Sequence, residues 1–146
     1  MTRDDTAKSI VFLIEKLLTL QLGLEYDQPR DAFSALMTNN LAAGYVFGFH
    51  DSCLQIFGCD PNDPDTNLGL IKASYQRIFG NQSGFALFDM SLHSQNDPDF
   101  QMGRLSGGEE FAEFMHRGIP PLGLQRILVL GFDAAAVWRG LKGKKR

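Results

Sequence analysis

Three side chains capable of acid–base or nucleophilic chemistry lie close together in the segment GYVFGFHDSC, which spans residues 44 to 53. They are His50, Asp51 and Cys53. A nucleophilic relay needs its thiol, imidazole and carboxylate in hydrogen-bond contact. Successive residues of a helix are turned by about 100°, so Asp51 points away from His50, whereas His50 and Cys53 share a side. The spacing therefore favours a buried histidine and a buried cysteine over a catalytic triad.

The predicted helix that contains this segment also carries a stripe of mostly small and polar residues at helical spacing. The stripe consists of Asn40, Gly44, Phe47, Gly48, Asp51 and Gln55. Glycine inside a helix costs about 1 kcal/mol relative to alanine, so something must offset the two glycines. They predict either close approach of another helix or a shallow groove with polar walls. For the groove, the candidate ligand-binding residues are Asn40, Gly44, Gly48, His50, Asp51 and Gln55.

A carboxylate on this stripe needs a partner, because an ionised carboxylate that is buried and unpaired is too costly to keep. The partners expected for Asp51 are backbone N–H groups at the start of another helix or an arginine, such as Arg77, Arg104, Arg117 or Arg126. We expect structural pairing of Asp51 in preference to a role in catalysis or ligand binding.

Gly103 and Gly107 repeat the glycine spacing further along the chain, provided that the helix there is continuous. Two glycine-notched surfaces in one small chain predict that they face each other, either within one chain or across a dimer. Ser106 and Glu109 have the spacing of a capping box, so a helix that restarts at Ser106 is an equal alternative.

The elements that must position these residues are predicted to be helices. The predicted segments are Thr6 to Leu22 with Asp4 or Asp5 as N-cap, a helix from Pro29, a central helix from Leu41 to Phe57, Asn67 to Phe79, Ser83 to His93, Pro98 to Arg117, and a final helix with Asp133 as N-cap. The central segment is apolar nearly all round, which requires other elements to cover most of it. The segment Arg126–Phe132 is open to a helix or a strand, and we favour a helix because a lone strand has no pairing partner. The sequence thus predicts an all-α domain of five to seven helices.

Composition sets the broad class of the protein. The chain has 146 residues and a formal charge of −3, which argues against a nucleic-acid binder that depends on a basic face. We expect one domain over residues 1–141, followed by a basic tail over residues 142–146. Since neither a signal peptide nor a stretch of about 20 apolar residues is visible, we expect a cytoplasmic protein that does not enter a membrane and keeps Cys53 and Cys59 reduced.

Metal and cofactor motifs are incomplete in this chain. Glu113 and His116 have the Glu-x-x-His spacing of di-metal bundles, but no second copy of that motif exists. The Asp-rich loop after residue 59 resembles a calcium loop, but it has Leu68 at the glycine position and Ser74 at the closing glutamate position. We therefore expect neither a metal nor a cofactor.

No catalytic set assembles from these residues, so the sequence favours a non-enzymatic interaction protein. We expect a homo-oligomer, such as a homodimer, that uses the glycine-notched helices and exposed apolar residues such as Phe12. The alternative is a small-molecule-binding protein or an enzyme with a polar pocket on the central helix near Asn40, His50 and Asp51. The sequence leaves open enzymatic activity, the partner and the oligomer number.

Overall fold

The computed structural model describes residues 3–23 and 25–131, and in these ranges the chain is built from helices without any strand. The α-helices are α1 (Arg3–Leu22), α2 (Phe33–Met37), α3 (Asn40–Ile56), α4 (Pro64–Phe79), α5 (Asn81–His93), α6 (Pro98–Arg117) and α7 (Gly123–Leu130), with a 3₁₀ helix at Pro29–Ala32. The predicted all-α fold and helix number are confirmed. Within the described ranges, no helix combines the length and the apolar character that a membrane crossing requires.

Capping side chains and prolines explain where the main helices begin. Asp63 and Asp97 cap α4 and α6 by accepting the backbone N–H groups of Thr66 and Phe100, at 3.3 and 3.0 Å. A proline follows each aspartate, in the first turn, where its missing N–H costs no hydrogen bond. Asn39 caps α3 by accepting the N–H of Ala42 at 3.0 Å.

Two details of the sequence interpretation need correction, and a third is confirmed. Helix α1 begins at Arg3, so Asp4 and Asp5 lie within its first turn instead of preceding it. Helix α6 runs unbroken through Ser106, so the restart at a capping box is wrong. The segment Arg126–Phe132 is helical as far as Leu130, which confirms the preferred helix, and Gly131 ends it with a left-handed φ of 78°. The predicted final helix and the basic tail lie outside the described residues.

Helix α3 occupies the centre of the fold. Every residue from Ala42 to His50 is buried, and the helix packs against each of the other six α-helices. This confirms the central, enclosed helix that the apolar segment predicts. Because the stretch from Ala42 to His50 is buried on all sides, the surroundings of a polar side chain there are decided by the neighbouring helix that it meets.

The closest packing of the fold joins α3 and α6. A Cβ added at Gly44 or Gly48 would overlap the carbonyl oxygens of Phe100 and Arg104. Reciprocally, a Cβ added at Gly103 or Gly107 would overlap the carbonyl oxygens of Leu41 and Tyr45, respectively. From Gly44 to Gly48 along α3, the contacted residue moves from Phe100 to Arg104 along α6. Helices α3 and α6 therefore run in the same direction. The glycine-notched surfaces therefore face each other within one chain.

We predict that Gly48→Ala lowers the free energy of unfolding by at least about 2 kcal/mol, because the added methyl group has to push the two helix backbones apart. The measurement is urea denaturation followed by circular dichroism. Gly69→Ala is the matched control, since Gly69 also lies inside a helix but, among the residues that the structure describes, has nothing within 4 Å of its added Cβ. The control should gain up to about 1 kcal/mol from helix propensity. Equal effects at the two positions would contradict the close α3–α6 contact.

Candidate functional site

The six candidate ligand-binding residues of α3 point in several directions. Gly44 and Gly48 are covered by the backbone of α6, so α6 occupies most of the floor of the groove that the sequence suggests. His50 is fully buried. Asp51 and Gln55 reach the surface and line a cleft together with the edge of Gly48, whereas Asn40, Gly44 and His50 do not line it. Ligand binding by these residues stays a prediction.

His50 is held by hydrogen bonds between α3 and α4. Its Nδ1–H donates to the carbonyl oxygen of Val46 at 2.7 Å, and its Nε2 accepts from the hydroxyl of Ser74 at 2.7 Å. The ring also packs against Tyr75, with 4.8 Å between ring centroids. Burial lowers the pKa of His50 from its ordinary value of 6.5 to about 4, because the protonated ring would lose its hydration. His50 is therefore neutral at pH 7.

The contact between Ser74 and His50 has the atoms of a nucleophile–base pair, but its surroundings do not suit catalysis. Both side chains are fully buried, and the group that orients the imidazole is a carbonyl oxygen instead of a carboxylate. Burial also raises the pKa of Cys53 to about 12, so its sulfur stays a thiol. The arrangement is that of a polar pair satisfied inside a core.

Asp51 pairs with Arg104, one of the four arginines named above as candidate partners. The Nη2 group of Arg104 donates to Oδ2 of Asp51 at 2.6 Å. The guanidinium also donates to the side-chain oxygen of Gln95 and lies over the ring of Phe47, 5.1 Å from its centroid. The side chains of Arg104 and Asp51 are 40% and 31% exposed, so the pair meets solvent. Pairs of this exposure contribute about 1 kcal/mol or less to stability.

Two clefts meet at the Asp51–Arg104 pair, and Gln55 lines both of them. The first cleft lies between α3 and α6 and has a volume of about 480 Å³. The second, of about 360 Å³, lies among α3, α4 and the end of α5. Both volumes fall in the range of small-ligand sites, about 300–1,000 Å³. The pair thus places a fixed positive and a fixed negative charge on walls that a small molecule can reach.

A polar network inside the fold joins four helices and was not indicated by the sequence. The hydroxyl of Tyr45 donates to Oε1 of Glu110 at 2.8 Å. The same Oε1 accepts the N–H of Gly123, and the side-chain oxygen of Gln21 accepts the N–H of Leu124. Burial and the neighbouring Glu110 carboxylate raise the pKa of Tyr45. The network fastens the start of α7 to α1, α3 and α6, so its role is structural.

An exposed aromatic surface lies across α1, α4 and α5. Phe12 and Phe85 are 53% and 47% exposed. The ammonium group of Lys16 lies 5.0 Å from the ring centroid of Phe12, and that of Lys72 lies 5.1 Å from the centroid of Phe85. A groove of about 660 Å³ runs between α1 and α4 and is lined by Ala7, Lys8, Val11, Phe12, Leu70, Ala73, Gln76, Arg77 and Asn81. The sequence indicated Phe12 but missed Phe85.

No protein-family model, curated protein or solved structure matches this chain. The function has to be inferred from side-chain chemistry and geometry. The clefts of the described residues include the groove beside Phe12, the clefts beside Asp51, and a cleft of about 430 Å³ between the start of α1 and the Asp-rich loop, lined in part by Phe57, Asp60 and Asn67.

We predict that His50 makes the stability of the fold depend on pH between about 4 and 6.5. The unfolded chain takes up a proton on this histidine near pH 6.5, but the folded chain does so only near pH 4. The free energy of unfolding attributable to His50 therefore rises by about 3 kcal/mol as the pH increases through this window and is constant above it.

The measurement compares urea denaturation of the wild type and of His50→Gln from pH 4 to 8. The difference between the two should shrink as the pH falls, since the variant lacks the proton uptake. His93→Gln serves as the control because the side chain of His93 is 77% exposed. A constant difference between wild type and His50→Gln across this range would show that His50 is not held neutral.

Proposed function

We propose that this chain is a non-enzymatic interaction protein that binds an acidic amphipathic helix in the groove between α1 and α4, which we name the α1/α4 groove. The observation that carries the proposal is the pair of exposed phenylalanines beside α4, Phe12 on α1 and Phe85 on α5, each with a lysine over its ring. Exposed aromatic rings are the side chains that most often dominate binding energy at protein interfaces.

The charge around the α1/α4 groove selects the partner. In the described part of the chain, no carboxylate forms an ion pair with Lys8, Lys16 or Lys72. Arg77 is neutralised by Glu15, with 2.5 Å between Nε and Oε2. The chain as a whole carries a formal charge of −3, so the positive groove stands out against an acidic protein. Charge complementarity favours a partner with carboxylates beside its apolar residues.

The shape of the surface suits a helix. Helix α4 exposes the small residues Gly69 and Ala73; Ala73 lines the groove together with Phe12, and the adjacent Lys72 reaches the ring of Phe85. Among the described residues, nothing lies within 4 Å of a Cβ added at Gly69, so this glycine makes no close helix contact there, unlike the glycines of α3 and α6. A low surface of small residues beside an exposed aromatic ring can seat the apolar face of an amphipathic helix.

A homo-oligomer, which the sequence favours, would have to pair the α1/α4 groove of one copy with a different surface of the second copy. Two copies meeting through the same face would bring Lys8 and Lys16 of each copy together, and such like-charge contacts oppose binding. A second copy would instead have to offer an acidic surface from a face other than the groove. Contacts between two different surfaces produce rings or filaments instead of closed dimers.

The test uses a synthetic helical peptide of about 18 residues with leucines along one face and glutamates elsewhere. Fluorescence anisotropy should show binding to the wild type that weakens as salt is added. The double variant Phe12→Ser/Phe85→Ser should weaken binding at least about tenfold, the loss expected from removing two aromatic contacts. Leu105→Ser on α6 is the matched control, because Leu105 is equally exposed, at 57%, but lies away from the groove.

Two results would overturn this proposal. One is equal binding of a peptide in which lysines replace the glutamates, and the other is an equal loss of affinity in Leu105→Ser. Sedimentation equilibrium of the chain without any peptide tests whether a second copy of the chain occupies the α1/α4 groove. Concentration-dependent association that the phenylalanine variant abolishes would identify a second copy as the partner.

A further inference from the structure

We infer that the second cleft beside Asp51 and Arg104 binds a free α-amino acid with an apolar side chain. We name this space the amino-acid cleft. It is lined by Phe47, Asp51, Leu54, Gln55, Cys59, Pro61, Pro64, Asn67, Leu68, Ile71, Leu92, Gln95 and Arg104. It is separate from the α1/α4 groove, so it does not depend on the proposed interaction function.

The charged end of the amino-acid cleft offers one donor and one acceptor side by side. Arg104 uses one N–H on Asp51 and another on Gln95, which leaves further guanidinium N–H groups, since arginine has five. Asp51 accepts through Oδ2, and within the described residues its Oδ1 takes part in no hydrogen bond. The pair can therefore accept hydrogen bonds from a ligand ammonium and donate them to a ligand carboxylate.

Arg104 is held in place before any ligand arrives. Gln95 accepts from its Nη1 group, and Phe47 supports the flat face of the guanidinium. The amide of Gln95 is itself oriented, because its Nε2 donates to the carbonyl oxygen of Ser91 at 2.8 Å. A pre-organised charge loses little conformational entropy when the ligand binds.

The opposite charges define the ligand head group. For a ligand that is only an anion, repulsion by Asp51 offsets the attraction by Arg104, and for a ligand that is only a cation, repulsion by Arg104 offsets the attraction by Asp51. An α-amino acid carries its ammonium and carboxylate on one carbon, so it can meet two opposite charges whose atoms are 2.6 Å apart. The free zwitterion fits this wall better than a peptide terminus, which carries one charge alone.

The remaining walls of the cleft define the side chain of the ligand. Leu54, Leu68 and Ile71 contribute apolar surface from α3 and α4, and Leu92 contributes it from α5. Leu92 is 36% exposed, so covering it with an apolar group would remove hydrophobic area from water. A volume of about 360 Å³ is at the small end of ligand sites, as an amino acid requires.

The first test varies the ligand and leaves the protein intact. Calorimetric titration of the wild type should show binding of L-leucine, at least about tenfold weaker binding of N-acetyl-L-leucine and of L-leucinamide, and weaker binding of glycine. Each capped compound removes one charge of the zwitterion. Equal affinity for leucine and either capped compound, or no binding of leucine at about 10 mM, would overturn the inference.

The second test varies the protein. Asp51→Asn and Arg104→Gln should each weaken leucine binding at least about tenfold while the thermal unfolding temperature moves by only a few degrees, since both side chains reach solvent. The matched control removes another exposed pair, Glu113 and Arg117, at 3.1 Å; Glu113→Gln should bind leucine as the wild type does.

Leucine-induced NMR shifts locate the bound ligand, and they remain informative if a variant unfolds. Shifts centred on Leu54 and Leu92 support the amino-acid cleft. Shifts centred on Leu105, in the first cleft, or on Phe12 would overturn it. Unchanged leucine affinity in Asp51→Asn would also do so.

Discussion

The contact between the bare backbones of α3 and α6 determines much of this structure. Four glycines let each helix place its Cα atoms against carbonyl oxygens of the other, in the geometry of weak Cα–H···O contacts. Because there is no space for a methyl group at these positions, neither helix can slide or rotate without a clash. The register of α3 against α6 is thereby fixed, and with it the direction of every other side chain on the central helix.

That register explains why neighbouring residues of one short segment have different roles. His50 turns toward α4 and is closed off by Ser74 and Tyr75. Asp51, one position further, emerges at the edge of the α3–α6 contact, where Arg104 reaches it. Judged by residue type alone, His50 and Asp51 suggested a reactive cluster. In the structure, burial makes His50 a neutral core histidine, whereas the charge of Asp51 is exposed to solvent.

The fold was largely predictable from local signals, and the sites were predictable in part. Aspartate–proline pairs and glycine spacing are local signals, so the start of α6 and the α3–α6 contact could be anticipated, whereas α4 begins at Pro64, three residues before its predicted start at Asn67. Asp51 needed a cation, and the correct one was among four arginines, but choosing it required the register of the helices. The network of Gln21, Tyr45 and Glu110 joins residues far apart in sequence, and no periodicity reports such contacts. Phe85 was missed for the same reason, because its exposure depends on how α5 lies against α4.

The first turn of α7 is stabilised by side chains that are distant from it in the sequence. Its N-cap position is Leu122, whose side chain cannot accept a hydrogen bond, and Glu110 and Gln21 accept the free N–H groups instead. An eight-residue helix is too short to persist alone in water. Helix α7 is therefore stabilised mainly by docking, so it should become ordered only after α1, α3 and α6 have packed together, and it should open more readily than these three helices in native-state hydrogen exchange.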